Sequence, residues 1–67
     1  MKTSARNELK GTITEIKSGK INSEIILSIG GGATLTAVIT NDSVEDMALK
    51  MGDSIYAIIK APFVMVA

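Results

Sequence analysis

Thr40-Asn41-Asp42-Ser43-Val44-Glu45-Asp46-Met47-Ala48-Leu49 is the one stretch of this chain that does not read as strand or turn. It opens on four residues with side-chain oxygens, the kind that accept from the first free amides of a helix. Ser43 with Asp46 three residues on, or Asp42 with Glu45, offers a capping box. The pattern predicts a short helix over roughly Val44 to Leu49, ended by Lys50-Met51-Gly52-Asp53. Everything around it is strand-like, so the position of this helix among the strands decides the architecture.

Upstream, Leu9 to Lys17 sets Leu9, Gly11 and Ile13 against Lys10, Thr12 and Thr14, the period-two pattern of a half-buried strand. Ser18-Gly19-Lys20 reads as a turn, with Gly19 available for a positive φ. Ile21 to Ile29 places Ile21, Ser23, Ile25, Leu27 and Ile29 on one face, while Ile26 hints that the other face is covered too. Gly30-Gly31-Gly32 is a hairpin turn, and Ala33 to Thr40 carries Leu35, Ala37 and Ile39 in phase. Downstream of the helix come Ser54 to Lys60 and, beyond Pro62, a short fifth strand over Phe63 to Ala67, placed at an edge or an oligomer contact. The chain is thus expected to be mainly β, one domain over residues 1–67. Five strands with one short helix between strands 3 and 4 is the order of an OB-fold barrel.

Sixty-seven residues bury little surface. Domains of this size are usually reinforced by disulfides, a metal or oligomerisation. Cysteine and histidine are both absent, which removes disulfides, thiolate metal sites and an ordinary zinc site. Oligomerisation is the remaining route, and a hydrophobic content of 46% with mean hydropathy +0.34 agrees with apolar surface held between subunits. Seven basic and seven acidic residues cancel, so a general attraction to nucleic acid is not supported and any anion site must be local. Tyr56 and Phe63 are the only aromatics, too few for the stacking platform of an OB-type nucleic-acid binder. Apolar runs such as Ile55 to Ile59 are far too short to span a membrane. Met1-Lys2-Thr3-Ser4 lacks the apolar core of a signal peptide, so the expected location is cytoplasmic.

Three polar segments remain: Ser4-Ala5-Arg6-Asn7 before the first strand, Thr40-Asn41-Asp42-Ser43 at the helix start, and Lys60-Ala61 after the fourth strand. Together they supply cationic groups, hydroxyls and turn amides, the donors an oxyanion requires. Each has a plainer reading as well. Lys60 could be a solvated strand-end lysine, Arg6 an exposed arginine or the ion-pair partner of Glu8, and Thr40 and Ser43 turn and N-cap residues. No catalytic arrangement is present. Asp42, Glu45 and Asp46 suit a helix start, the glycines are not followed by the Lys-Ser or Lys-Thr of a P-loop, and a Ser/His/Asp set is impossible without histidine.

Five motifs run in register along the chain: Ser4-Ala5-Arg6-Asn7-x-Leu9-x-Gly11, Gly19-x-Ile21-Asn22-x-Glu24-Ile25, Leu35-Thr36-Ala37-x-Ile39-Thr40-x-x-Ser43, Leu49-x-x-Gly52-Asp53 and Ala57-x-Ile59-Lys60-Ala61. Together they resemble the molbindins, members of the Mop/TOBE-like domain family. The likeness runs along nearly the whole chain without gaps. Molbindins bind molybdate and tungstate, and their domain also occurs in molybdenum-responsive regulators and transporter ATPase subunits. The resemblance implies an OB-like barrel, a homohexamer built as a trimer of dimers, and oxyanion sites between subunits. It implies molybdate or tungstate as ligand, with no organic cofactor, no nucleic acid and no membrane. Carried over residue by residue, the site would comprise Ser4, Ala5 and Arg6 from one subunit and Thr40, Ser43 and Lys60 from a neighbour, with the Ala61 amide. On this reading Ser4-Ala5-Arg6 and Lys60-Ala61 meet across a subunit boundary. A second class of site, near the three-fold axes, would fall on Gly19, Lys20, Ile21 and Asn22. A chain carrying neither a DNA-binding nor an ATPase domain is expected to store or buffer the anion, and not to act as an enzyme.

Overall fold

The computed structural model describes residues 5–67. Its strands are β1 (Arg6–Ser18), β2 (Asn22–Gly30), β3 (Ala33–Thr40) and β4 (Ser54–Lys60), with a helix α1 (Asn41–Asp46) between β3 and β4. A 3-10 turn, Ala61–Phe63, follows β4. The strands form one antiparallel sheet in the order β3-β2-β1-β4.

β1 is the spine. Its first half, Arg6 to Thr12, pairs with β4, and from Thr12 to Ser18 it pairs with β2. Two local features let it curl between these partners. Thr14 is the extra residue of a bulge between Ile13 and Glu15, and such a residue bends its strand. The bulge also shifts the inward phase, from Leu9, Gly11 and Ile13 before it to Ile16 after it. Gly11 permits the close crossing over β2. A Cβ there would lie 3.1 Å from the Ser28 carbonyl oxygen and 3.3 Å from Leu27 and Ile29 side-chain atoms.

The core under this crossing is small. Ile13, Ile25 and Leu27 are fully buried, and Leu35, Ala37, Ile39, Val44, Leu49, Ile55 and Ala57 pack around them. The β2–β3 hairpin closes on Gly31-Gly32, both with positive φ as a primed two-residue turn requires.

The helix begins earlier than its sequence pattern suggests, and its cap is neither Ser43 nor Asp42. Thr40 is the N-cap, and its hydroxyl accepts from the Ser43 amide at 3.1 Å. β3 runs straight into the helix, so the last strand residue is the one left in extended geometry and free to cap. At the other end the Leu49 amide donates to Val44 and the Ala48 amide to Glu45, the paired bonds of a Schellman ending. Ala48 holds its left-handed position (φ 52) without being glycine.

The expected fifth strand is not formed. Pro62 sits in the 3-10 turn, and residues 64–67 carry no regular structure. A strand needs a partner edge, and within one chain this segment leaves β4 without reaching one. Gly19 also differs from expectation: its φ is not positive, and a Cβ there would come within 2.8 Å of the Asn22 carbonyl oxygen. Glycine is demanded by that close approach.

Two substitutions test this frame by urea denaturation. Gly11→Ala should cost about 1–3 kcal/mol, since its methyl meets backbone that cannot swing aside. Ala48→Gly should add about 0.5–1 kcal/mol, because relief of the left-handed strain exceeds the extra freedom of unfolded glycine.

Candidate functional site

The antiparallel register sorts the polar segments into two groups at opposite ends of the sheet. Arg6 and Lys60 are direct partners across β1 and β4, and the Ala61 amide donates to the Ala5 carbonyl at 2.9 Å. Ala5, Arg6, Lys60 and Ala61 therefore lie together, at one end of one chain. Thr40 pairs with Asn22 at the other end, where β1 finishes at Ser18. The 13 residues of β1 span the two ends, a path of about 40 Å along the strand. Within one chain this register sets Lys60 beside Arg6 and puts Thr40 and Ser43 at the far end of the sheet, against the expected grouping of Lys60 with Thr40 and Ser43.

Arg6 and Lys60 project on the same outward face, because directly opposed residues of a ladder do. Like charges so placed repel, and a bound anion would relieve them. The Arg6 guanidinium has one compensating contact, Glu8 at 3.4 Å, with both side chains more than half exposed. Lys60 has no carboxylate within 4 Å among the described residues. Ser4 lies outside the described residues.

At the opposite end the Thr40 hydroxyl donates to the Ser43 hydroxyl oxygen at 2.8 Å while accepting from the Ser43 amide. Its proton is thereby committed, and the Ser43 hydroxyl proton is left as the outward donor. Thr40 thus caps the helix, and Ser43 keeps a hydroxyl proton uncommitted.

The Gly19-to-Asn22 turn shares this end. The Gly19 amide donates to the Asn22 carbonyl at 2.8 Å, Lys20 is exposed, and Ile21 is 73% exposed. Gly19 and Asn22 border a shallow cleft with Lys17, Ser18, Ser23, Glu24 and Val38. Lys17 is held by Glu15 and Glu24 at 3.8 and 4.0 Å, so Lys20 is the uncommitted cation of the turn among the described residues.

Asn41 is the residue that sequence reasoning passed over. Its backbone amide donates to the Ile21 carbonyl at 2.7 Å, and its side-chain amide donates to the Gly19 carbonyl at 3.0 Å. Its Oδ1 accepts from Ser23, which is buried. One side chain thus ties the β1–β2 turn to the start of α1. The available signal was Ser23 itself, a polar residue on the apolar phase of β2, which needs a buried partner.

Residues 3–66 match the TOBE domain family. The chain belongs to the TOBE-domain family. This TOBE domain is 42% identical over 66 residues to molybdenum-pterin-binding protein 3 of Clostridium pasteurianum, covering 98% of this chain and 97% of that protein. It superposes with TM-score 0.88 on a molybdate-binding protein from Sporomusa ovata, at 40% identity, covering 100% of this chain and 98% of that one. A third likeness, with TM-score 0.81 and 41% identity, is to the cytoplasmic molybdate-binding protein ModG with molybdate bound. That match covers 91% of this chain and 43% of ModG. The molbindin resemblance and the OB-like architecture are therefore established, with four strands among the described residues where five were expected. No helix among the described residues is long and apolar enough to cross a membrane.

Asn41→Ala should destabilise the domain by about 1–3 kcal/mol in urea titrations, because it leaves the buried Ser23 hydroxyl and the Gly19 carbonyl without partners. Asn41→Asp, which keeps the acceptor for Ser23, should recover part of that loss.

Proposed function

We propose that this TOBE domain binds molybdate or tungstate, between subunits of a homo-oligomer, and serves intracellular storage and homeostasis of molybdenum. The observation that carries the reading is the Arg6–Lys60 pair: two cations fixed opposite each other on one face, with Lys60 uncompensated. A tetrahedral dianion offers four acceptor oxygens and no donor, and it matches that arrangement. The guanidinium supplies a planar fork of donors and the ammonium a compact charge. Ser4 and the Ala5 amide are carried over from the family motif; the Ala61 amide, expected as a donor, is already spent on the Ala5 carbonyl and is not counted. Thr40 and Ser43 complete the shell from a neighbouring subunit, with Ser43 donating and Thr40 holding it.

The relatives support this reading through what they are named as binding, and the Clostridium protein is little longer than this chain. The ModG description supports a cytoplasmic location. The reading has no catalytic step: the groups at each end are donors to an anion. The oligomer in the proposal is a hexamer, a trimer of dimers, and the second anion site falls at Gly19, Lys20, Ile21 and Asn22, where Lys20 would be the cation.

Calorimetric titration tests the reading. With no pterin added, molybdate should bind the oligomer. Lys60→Ala should weaken that binding roughly thirtyfold, the loss of about 2 kcal/mol from one charge-assisted contact, without changing the oligomer's mass. Sulfate should bind more weakly than molybdate, since a smaller anion cannot reach donors from both subunits at once. Unchanged affinity in the variant, equal affinity for sulfate, or binding only when a pterin is supplied would overturn the reading.

A further inference from the structure

The outward rungs of the β1–β4 ladder are Arg6 with Lys60, Glu8 with Ile58, Lys10 with Tyr56 and Thr12 with Ser54. Glu8 is the one carboxylate on these rungs, set among three cations. Across the ladder it meets Ile58, which offers it no partner. Along its own strand Arg6 and Lys10 stand two residues to either side, each about 7 Å away. Lys10 has no ion pair within 4 Å among the described residues, and the Glu8 carboxylate turns instead to Arg6, meeting its Nε at 3.4 Å. Lys60 lies on the diagonal from Glu8, about 7–8 Å away along the backbone, within reach of two long side chains. Glu8 therefore leans toward the cation pair whose repulsion an anion relieves, and it offers that pair an anionic oxygen of its own.

We infer that Glu8 is an intramolecular competitor for the anion, which lowers both the affinity of the Arg6–Lys60 group and its preference for a dianion over a monoanion. The inference rests on the molybdate reading of that group. One carboxylate has two effects. To use the whole guanidinium fork, the anion must displace Glu8, and a pair 60% and 52% exposed is weak enough to yield. Once displaced, Glu8 stays on the same face and repels the bound anion. Arg6, Lys60 and Glu8 together carry one net positive charge, so a dianion leaves the group one charge negative. With a neutral residue in place of Glu8, a dianion would leave it neutral. Coulomb repulsion scales with the ligand's charge, so it falls twice as heavily on a dianion as on a monoanion of the same shape. A protein that stores an anion must also release it, and Glu8 loosens the hold without removing a donor.

Calorimetry on the full chain tests this with molybdate and with perrhenate, a tetrahedral monoanion of similar size, the latter by displacement of bound molybdate. Glu8→Gln keeps the side-chain length and removes the charge. It should bind molybdate about tenfold more tightly than the parent, about 1.4 kcal/mol, and perrhenate only about threefold more tightly. A change in packing or assembly would not separate two anions of one shape. Glu8→Asp retains the charge and should stay within about twofold of the parent for both anions. Unchanged molybdate affinity in Glu8→Gln, equal gains for the two anions, or a gain in Glu8→Asp as large as in Glu8→Gln would overturn the inference. If Lys60→Ala weakens molybdate binding while Glu8→Gln leaves it unchanged, Glu8 is no competitor and the anion reading stands. A parent that binds no molybdate removes both.

Discussion

The register of β1 against its two neighbours governs the rest of this structure. Because Arg6 faces Lys60 at one end and β1 finishes beside the Thr40–Asn22 pair at the other, the chemistry-bearing residues are parted by the length of the sheet. That register is not free to slip. A one-residue shift would turn Ile13 to solvent, and the Thr14 bulge and the Gly11 crossing each fit a single pairing. The same features that bend β1 over its small core thus fix where the cations and the hydroxyls stand.

A core of three fully buried apolar residues is slight support for a domain. The exposed apolar residues form continuous features: the walls of the β3–β4 slot and the tail after Phe63. On the proposed reading a split anion shell is completed by a second copy. Assembly is, on that reading, a condition for the site, because the Arg6–Lys60 pair and the Ser43 hydroxyl stand at opposite ends of one chain.

Much of this was legible in the sequence. Period-two alternation located all four strands, the three glycines marked their hairpin, and the hydroxyl-rich run marked the helix. What escaped was what depends on three dimensions. Thr40, and not Ser43, caps the helix because β3 feeds into it without a loop. The segment after Pro62 has strand-like composition, but composition names no partner edge, and within one chain the segment reaches none. Asn41 looked like one polar turn residue among four, and only the buried Ser23 hydroxyl and the nearby Gly19 carbonyl give it a role. The molbindin motifs pointed to residue types able to donate to an oxyanion. Their order along the chain could not say which lie together, and the β1–β4 ladder placed Lys60 with Arg6 instead of with Thr40.

The central claim is that each anion is held by the Arg6–Lys60 end of one chain and the Thr40–Ser43 end of another. Subunit mixing tests it most directly. Lys60→Ala and Ser43→Ala chains, each weakened alone, are unfolded together, refolded as mixed oligomers and titrated with molybdate. An interface that joins the intact Lys60 end of one variant to the intact Ser43 end of the other restores a complete shell. The account therefore predicts that a fraction of sites, about a quarter for random mixing, recovers parent affinity. Mixed oligomers that bind no better than the two variants measured separately would contradict it.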